Sequence, residues 1–206
     1  MVKSKSSKRW LEEHARDKYV RRSKEEGYRS RASFKLLEIQ EKDRFIKRGM
    51  TVVDLGSAPG GWSQVAKRLV GEQGRVFASD ILPMEPISGV NFIQGDFTET
   101  GVLEQLTAEV QGESVDLVIS DMAPNITGIS AVDQPNSIYL AELALDLARS
   151  ILGEGAYFLV KMFEGEGTDA FRQRLSREFL GVKIRKPTAS RARSREFYLL
   201  AEEFCK

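Results

Sequence analysis

The chain has 206 residues, 41% of them hydrophobic and 30% charged, with a formal net charge of +1. That length supports one domain with a single good core, and no apolar run approaches the ~20 residues that cross a bilayer, so no membrane role is expected. Cys205 and His14 are the only residues of their kinds, which excludes an internal disulfide, a zinc site built on several Cys and His ligands, and a Ser-His or Cys-His catalytic pair; no metal is expected.

In chain order, residues 1–9 read as a basic arm without the apolar stretch of a secretory signal. With the single cysteine, this points to a reducing, cytoplasmic setting. Residues 10–24 are helix-like but highly charged. The basic arm and helix (1–30) are expected to precede a single domain (31–206). A helix is predicted over 30–41, with Ser30 as its N-cap and Phe34, Leu36 and Leu37 as its apolar stripe. Strands are predicted at 51–55, 75–80, 90–96, 115–121, 155–163, 182–186 and 197–201. The helices among them are predicted at 64–69, 103–110, 137–152 and 168–179. Alternating strands and helices imply a mostly parallel sheet covered on both faces. The last connection, 187–195, is too short for a crossover helix, so the seventh strand should run antiparallel.

The first strand opens into Asp54-Leu55-Gly56-Ser57-Ala58-Pro59-Gly60-Gly61-Trp62. A strand, a glycine turn and a helix start form the nucleotide-binding corner of open α/β sheets. The spacing fits neither a dinucleotide loop nor a phosphate loop with its lysine, which disfavours a nicotinamide oxidoreductase. Gly56, Gly60 and Gly61 would let backbone approach a ligand closely, and Trp62 would pack against one end of it. Asp54, Asp80, Asp96 and Asp121 all fall at strand ends, where they would repel one another without a partner. A ligand carrying a sulfonium, an ammonium, a diol and an adenine amine supplies such partners. Asp80 lies at about the offset that reaches ribose hydroxyls, and Asp96 is placed for the adenine.

Strands four and five end in Ser120-Asp121-Met122-Ala123-Pro124 and Val160-Lys161-Met162-Phe163. Neighbouring strands lie ~4.8 Å apart, so Asp121 and Lys161 are expected to pair. A lysine within an otherwise buried strand is costly without such a partner. On the last strand Glu196, Tyr198 and Leu200 share one face.

These motifs, with Ser30-Arg31-Ala32-Ser33-Phe34-Lys35-Leu36-Leu37-Glu38 and Ser194-Arg195-Glu196-Phe197-Tyr198, resemble the FtsJ/RrmJ family of RNA ribose 2′-O-methyltransferases along nearly the whole chain. The resemblance implies a Rossmann-like class I S-adenosylmethionine-dependent methyltransferase fold. Gly56, Gly60, Gly61, Trp62, Asp80, Asp96 and Asp121 would then hold the cofactor S-adenosyl-L-methionine. It also implies a Lys-Asp-Lys-Glu tetrad at Lys35, Asp121, Lys161 and Glu196, with Lys161 as either the base or a charged orienting donor. The compact length and the Asp121-Met122-Ala123-Pro124-Asn125 segment look most like the bacterial member, which implies a uridine in the A-loop of 23S ribosomal RNA, within the large ribosomal subunit, as substrate. A monomer is expected.

Charge distribution fits an RNA partner. Residues 1–48 hold 16 Lys/Arg against 8 Asp/Glu, residues 49–181 hold 8 against 19, and residues 182–195 hold 6 against none. Converging basic flanks neutralise phosphates and bind more weakly as salt rises. The expected phosphate contacts are Arg21, Arg22, Arg29, Arg31, Lys183, Arg185, Lys186, Arg191, Arg193 and Arg195, which position RNA without reading bases. Tyr19 and Tyr28 are candidates for base stacking or helix packing. The alternatives are a transfer-RNA or cap ribose methyltransferase, an amino-group methyltransferase, which the absence of an aromatic ring after Asp121 disfavours, and a non-catalytic RNA-binding scaffold.

Overall fold

The structure is a computed structural model that describes residues 17–205, residues 111, 113 and 192 excepted. The basic arm and the start of the helix expected at 10–24 lie outside the described residues. Within them, helices α1 (Lys18–Glu25) and α2 (Ser33–Asp43) precede an alternating series: β1 (Thr51–Leu55), α3 (Gly61–Val70), β2 (Arg75–Asp80), β3 (Val90–Gln94), α4 (Thr100–Val110), β4 (Val115–Ser120), α5 (Ser130–Ile151), β5 (Leu152–Phe163), α6 (Thr168–Glu178), β6 (Phe179–Arg185) and β7 (Glu196–Phe204).

The seven strands form one sheet in the order β3-β2-β1-β4-β5-β7-β6. Every neighbouring pair is parallel as far as β5, and β7 runs antiparallel to both β5 and β6. This is the mostly parallel sheet with a reversed seventh strand that the pattern predicts, and the Rossmann-like fold that the resemblance implies. The order reverses at β1 and β4, which places a crevice beyond their carboxyl ends.

Period-two alternation divides the core between the two faces of the sheet. Val53, Leu55, Phe77, Val118, Phe158, Val160 and Leu199 pack on one side with Leu106, Leu145, Ala148 and Phe171 from α4, α5 and α6. Val52, Val76, Leu117, Ile119, Leu159, Tyr198 and Leu200 pack on the other side with Phe34, Leu36, Ile39, Trp62 and Val65 from α2 and α3. Tyr19 and Tyr28 are buried in this second core, their rings each 5.5 Å from that of Phe34. They serve helix packing, and the stacking alternative falls away.

Four helix starts differ from expectation, α3 and α4 each beginning three residues early, at Gly61 and Thr100. α2 begins at Ser33 rather than Ser30, and its N-cap, Ala32, makes no side-chain cap; Ser30 supplies only a carbonyl to the Ser33 N–H. α5 begins at Ser130, seven residues early, with Pro135 inside it. Proline removes a helical hydrogen bond, so the sequence reads as a start after Pro135. Tertiary contacts hold the preceding turn: Asp133 accepts from the Thr127 and Gly128 N–H groups, and Gln134 donates to the carbonyls of Phe163 and Glu166. β5 also begins three residues early: Leu152, Gly153 and Glu154 extend the strand, which passes through a register shift opposite Val115 and Leu117.

Candidate active site

The glycine turn is tied to β2 by main chain and side chain. The N–H groups of Gly56 and Ser57 donate to the Ser79 carbonyl, and the Ala58 and Leu82 N–H groups donate to opposite oxygens of Asp80, each at 2.8 Å. Gly56 has φ +71°, and a Cβ there would fall 2.3 Å from Met122 Cγ. Beneath the turn, Ser63 Oγ donates to the buried Asp54 carboxylate at 2.6 Å. Burial pushes the Asp54 carboxyl up to about 7; the Ser63 bond opposes this, while Asp121 and Asp80 add to it.

A first cavity of about 470 Å³ opens at the sheet's switch point, lined by Gly56, Ala58, Ser79, Asp80, Ile81, Leu82, Asp96, Phe97, Asp121 and Met122 among others. Of the residues expected around a cofactor, Gly56, Asp80, Asp96 and Asp121 therefore line this one cavity. Gly60, Gly61 and Trp62 do not line it. A Cβ on Gly60 would meet Ile87 and Met84, and one on Gly61 would meet Ser30 Oγ at 2.3 Å, so both glycines admit other parts of the chain. Trp62 is a core residue: its Nε1–H donates to the Ala32 carbonyl at 2.8 Å and its ring lies 5.6 Å from Tyr198. An aromatic on the first turn of α3 faces the hydrophobic core rather than the crevice.

One rung beyond the Ser120–Val160 register pair, Asp121 and Lys161 meet, as adjacent parallel strands require. Lys161 Nζ lies 3.1 Å from Asp121 Oδ1 and also donates to the Asp121 carbonyl. Lys35, delivered by α2, sits 3.7 Å from Asp121 Oδ1 and 2.8 Å from Glu196 Oε1. Lys35, Lys161 and Glu196 are each less than a tenth exposed. The four residues are thus one closed set of two cations and two anions. Burial pushes Asp121 up, yet Lys161, Lys35 and a Tyr198 hydrogen bond outweigh it and hold the carboxyl below its ordinary range. Glu196 follows the same balance, with Lys35 overcoming burial. Both acids are ionised at neutral pH.

Tyr198 completes the set. It stands opposite Lys161 in the β5–β7 register, and its hydroxyl donates to Asp121 Oδ1 at 2.7 Å. Burial and the nearby carboxylates push its phenol well above the usual value, so it stays a neutral donor. The sequence signal was present, since Tyr198 shares a strand face with Glu196.

A second cavity of about 540 Å³ adjoins the set, lined by Arg31, Lys35, Ile126, Asp133, Gln134, Phe163, Arg191, Arg193, Arg195 and Glu196 among others. Asp121 lines the first cavity, Lys35 and Glu196 line the second, and Lys161, which lines neither, is ion-paired to Asp121, so the charged set joins the two cavity walls.

Residues 28–204 match the FtsJ-like methyltransferase family. The chain belongs to the FtsJ-like methyltransferase family. Its relatives include the ribosomal RNA large subunit methyltransferase E of Chromohalobacter salexigens, 61% identical over 201 residues that cover 98% of this chain and 96% of that one. The protein of the same name from Pseudomonas aeruginosa is 57% identical and covers 99% of both chains. A crystal structure from Plasmodium falciparum, titled as a ribosomal RNA methyltransferase, superposes with a TM-score of 0.77 at 31% identity, over 86% of this chain and 98% of that one.

In this FtsJ-like chain the basic residues of the flanks divide by location. Arg31, Arg191, Arg193 and Arg195 converge on the second cavity. Arg31 also pairs with Asp17 at 2.6 Å and donates to the Ala189 carbonyl. Arg21 and Arg22 lie on α1 beside Glu25 and Glu26. Lys186 reaches the Ser194 carbonyl at 3.3 Å. Lys183 and Arg185 belong to edge strand β6: Lys183 pairs with Glu202 at 2.7 Å, and Arg185 grips the nearly inaccessible Asp43 through two nitrogens, at 2.5 and 2.6 Å. Arg29 does not line the second cavity and donates instead to the carbonyls of Pro59, Glu85 and Pro86.

Proposed function

We propose that this chain transfers a methyl group from S-adenosylmethionine to the ribose 2′-oxygen of a uridine in the A-loop of 23S ribosomal RNA, within the large ribosomal subunit. The observation that carries the reading is the junction: a buried Lys-Asp-Lys-Glu set joins the walls of an acidic crevice and an arginine-lined cavity. The large-subunit target is supported by the names of relatives more than 55% identical over nearly the full chain. The uridine and its loop follow from the family resemblance.

The first cavity suits the cofactor chemically. Asp80 offers acceptors for a diol, Asp96 offers acceptors for an amine, and the Ser79 hydroxyl is buried there without a hydrogen-bond partner. When bound, S-adenosylmethionine supplies an electrophilic methyl on a sulfonium. Ionised Asp121 favours that positive charge from the cavity wall and holds Lys161 by carboxylate and carbonyl together. These two contacts engage two tetrahedral positions of Nζ and leave another for the ribose oxygen. Lys161 there meets the 2′-hydroxyl and aligns or deprotonates it for in-line attack. Lys35 and Glu196, lining the second cavity, fix the ribose, and Tyr198 fixes Asp121. Arg191, Arg193 and Arg195 take the flanking phosphates.

The deciding experiment incubates the protein with labelled S-adenosylmethionine and large subunits from cells lacking it, then maps the label. Label on a single uridine ribose in the A-loop is expected. Label on a base, or on transfer RNA in preference to the subunit, overturns the reading.

A further inference from the structure

By sequence Arg29 belongs to the basic flank, but its guanidinium is spent on main chain. One terminal nitrogen donates to the Pro59 carbonyl at 3.3 Å and to the Glu85 carbonyl, and the other donates to the Pro86 carbonyl at 2.7 Å. Its own N–H donates to Gln64 Oε1 on α3 at 2.8 Å. Pro59 lies in the glycine turn. Glu85 and Pro86 lie in the loop from β2 to β3, residues 81–89. Each loop supplies lining to the first cavity, the turn through Gly56 and Ala58 and the 81–89 loop through Ile81 and Leu82. The two loops also press together at Gly60, where an added Cβ would sit 2.6 Å from Ile87 Cδ1, 2.8 Å from Met84 Sδ and 3.3 Å from Arg29 Cδ.

A loop without helix or strand loses conformational entropy when it is fixed. Charge-assisted hydrogen bonds from one planar fork offset that cost at three carbonyls at once. A lysine carries the charge but not the fork.

We propose that Arg29 is a positioning residue of the cofactor pocket, clamping the glycine turn to the 81–89 loop, and is not a phosphate contact. The inference rests on the assignment of the first cavity to S-adenosylmethionine.

The test measures S-adenosylmethionine binding by titration calorimetry, without RNA, for the full chain and for Arg29→Lys and Arg29→Ala, at protein concentrations corrected for the folded fraction. In parallel, the salt dependence of binding to large subunits is measured for each. Both variants are expected to bind the cofactor about tenfold more weakly because the loops must be ordered on binding, with lysine giving no rescue. Subunit KM at saturating cofactor and the salt slope are expected to stay as in the parent. Unchanged cofactor affinity, rescue by lysine, or a salt slope reduced by about one each overturns the role given to Arg29. Arg29→Lys keeps the test open should the alanine variant fail to fold. A parent chain that binds no S-adenosylmethionine overturns the cofactor assignment itself, whereas binding by the parent with unaltered variants overturns only the clamp.

Discussion

The Tyr198 hydroxyl donates to the same oxygen of Asp121 that pairs with Lys161, so one carboxylate oxygen serves a phenol at 2.7 Å and an ammonium group at 3.1 Å. Tyr198→Phe removes the donor and keeps the ring against Trp62. Hydrogen bonds to charged groups contribute about 1.5–3 kcal/mol, so kcat should fall by roughly tenfold to a hundredfold while cofactor affinity changes little. Single-turnover rates at saturating cofactor decide the matter, and a rate within twofold of the parent would remove Tyr198 from the machinery.

Substitution of Lys161 should be more severe. Alanine deletes the group proposed to meet the 2′-oxygen, and general acid–base participation contributes about 10²–10⁴-fold. Arginine should recover little of this, because each terminal guanidinium nitrogen has only two donors, so one that meets both the carboxylate and the carbonyl of Asp121 has none left for the ribose oxygen, and the group does not give up its proton. Initial rates on large subunits, with circular dichroism to verify the fold, make the comparison. Full activity in Lys161→Ala would end the tetrad assignment.

The acids of the site impose opposite pH dependences on stability. Asp54 has its folded-state pKa raised to about 7, above the ~3.9 of an unfolded aspartate. The folded state therefore binds the extra proton between those values, and the stabilisation is lost as pH rises toward and through 7. Three pKa units correspond to roughly 4 kcal/mol. Asp121 and Glu196 are held low, so their stabilisation is present above pH ~4 and is lost only as pH falls through their depressed folded values. Chemical denaturation without cofactor should show greater stability near pH 5 than at pH 8. Asp54→Asn, which can still accept from Ser63, should flatten that slope; an unchanged slope would mean another group carries it.

The sheet was legible because its strands announce themselves. Buried parallel strands read as unbroken apolar runs, and the run of Val52 and Val53 between Thr51 and Asp54 places β1 without a structure. Alternation on β7 likewise assigned Glu196, Tyr198 and Leu200 to one face. The pairing of Asp121 with Lys161 followed from strand adjacency alone. What escaped is set by tertiary contacts. Local periodicity cannot show that Gln134 and Asp133 would hold a helical turn ahead of Pro135. Nor can it show that Trp62 would turn into the core. The arginines are the clearest case: composition counts positive charges, whereas partners such as Asp43 or the Glu85 carbonyl decide which of them remain available to RNA.

Two of those arginines should separate cleanly. Arg185 and Asp43 form a two-bond pair in which the carboxylate side chain is only 3% exposed. Arg185→Ala leaves that carboxylate with Lys183 at 3.8 Å as its remaining cationic contact. Removing one partner of a buried pair is costly, so a loss of roughly 2–4 kcal/mol is expected. The urea midpoint should drop accordingly, while the salt dependence of subunit binding keeps its slope. Arg191→Ala, in the lining of the second cavity, should do the reverse: near-parental stability, weaker subunit binding, and a slope of log affinity against log salt lower by about one. Parallel urea and salt titrations on the two variants decide between the roles, and the assignment fails if Arg185→Ala changes the salt slope or Arg191→Ala leaves it intact.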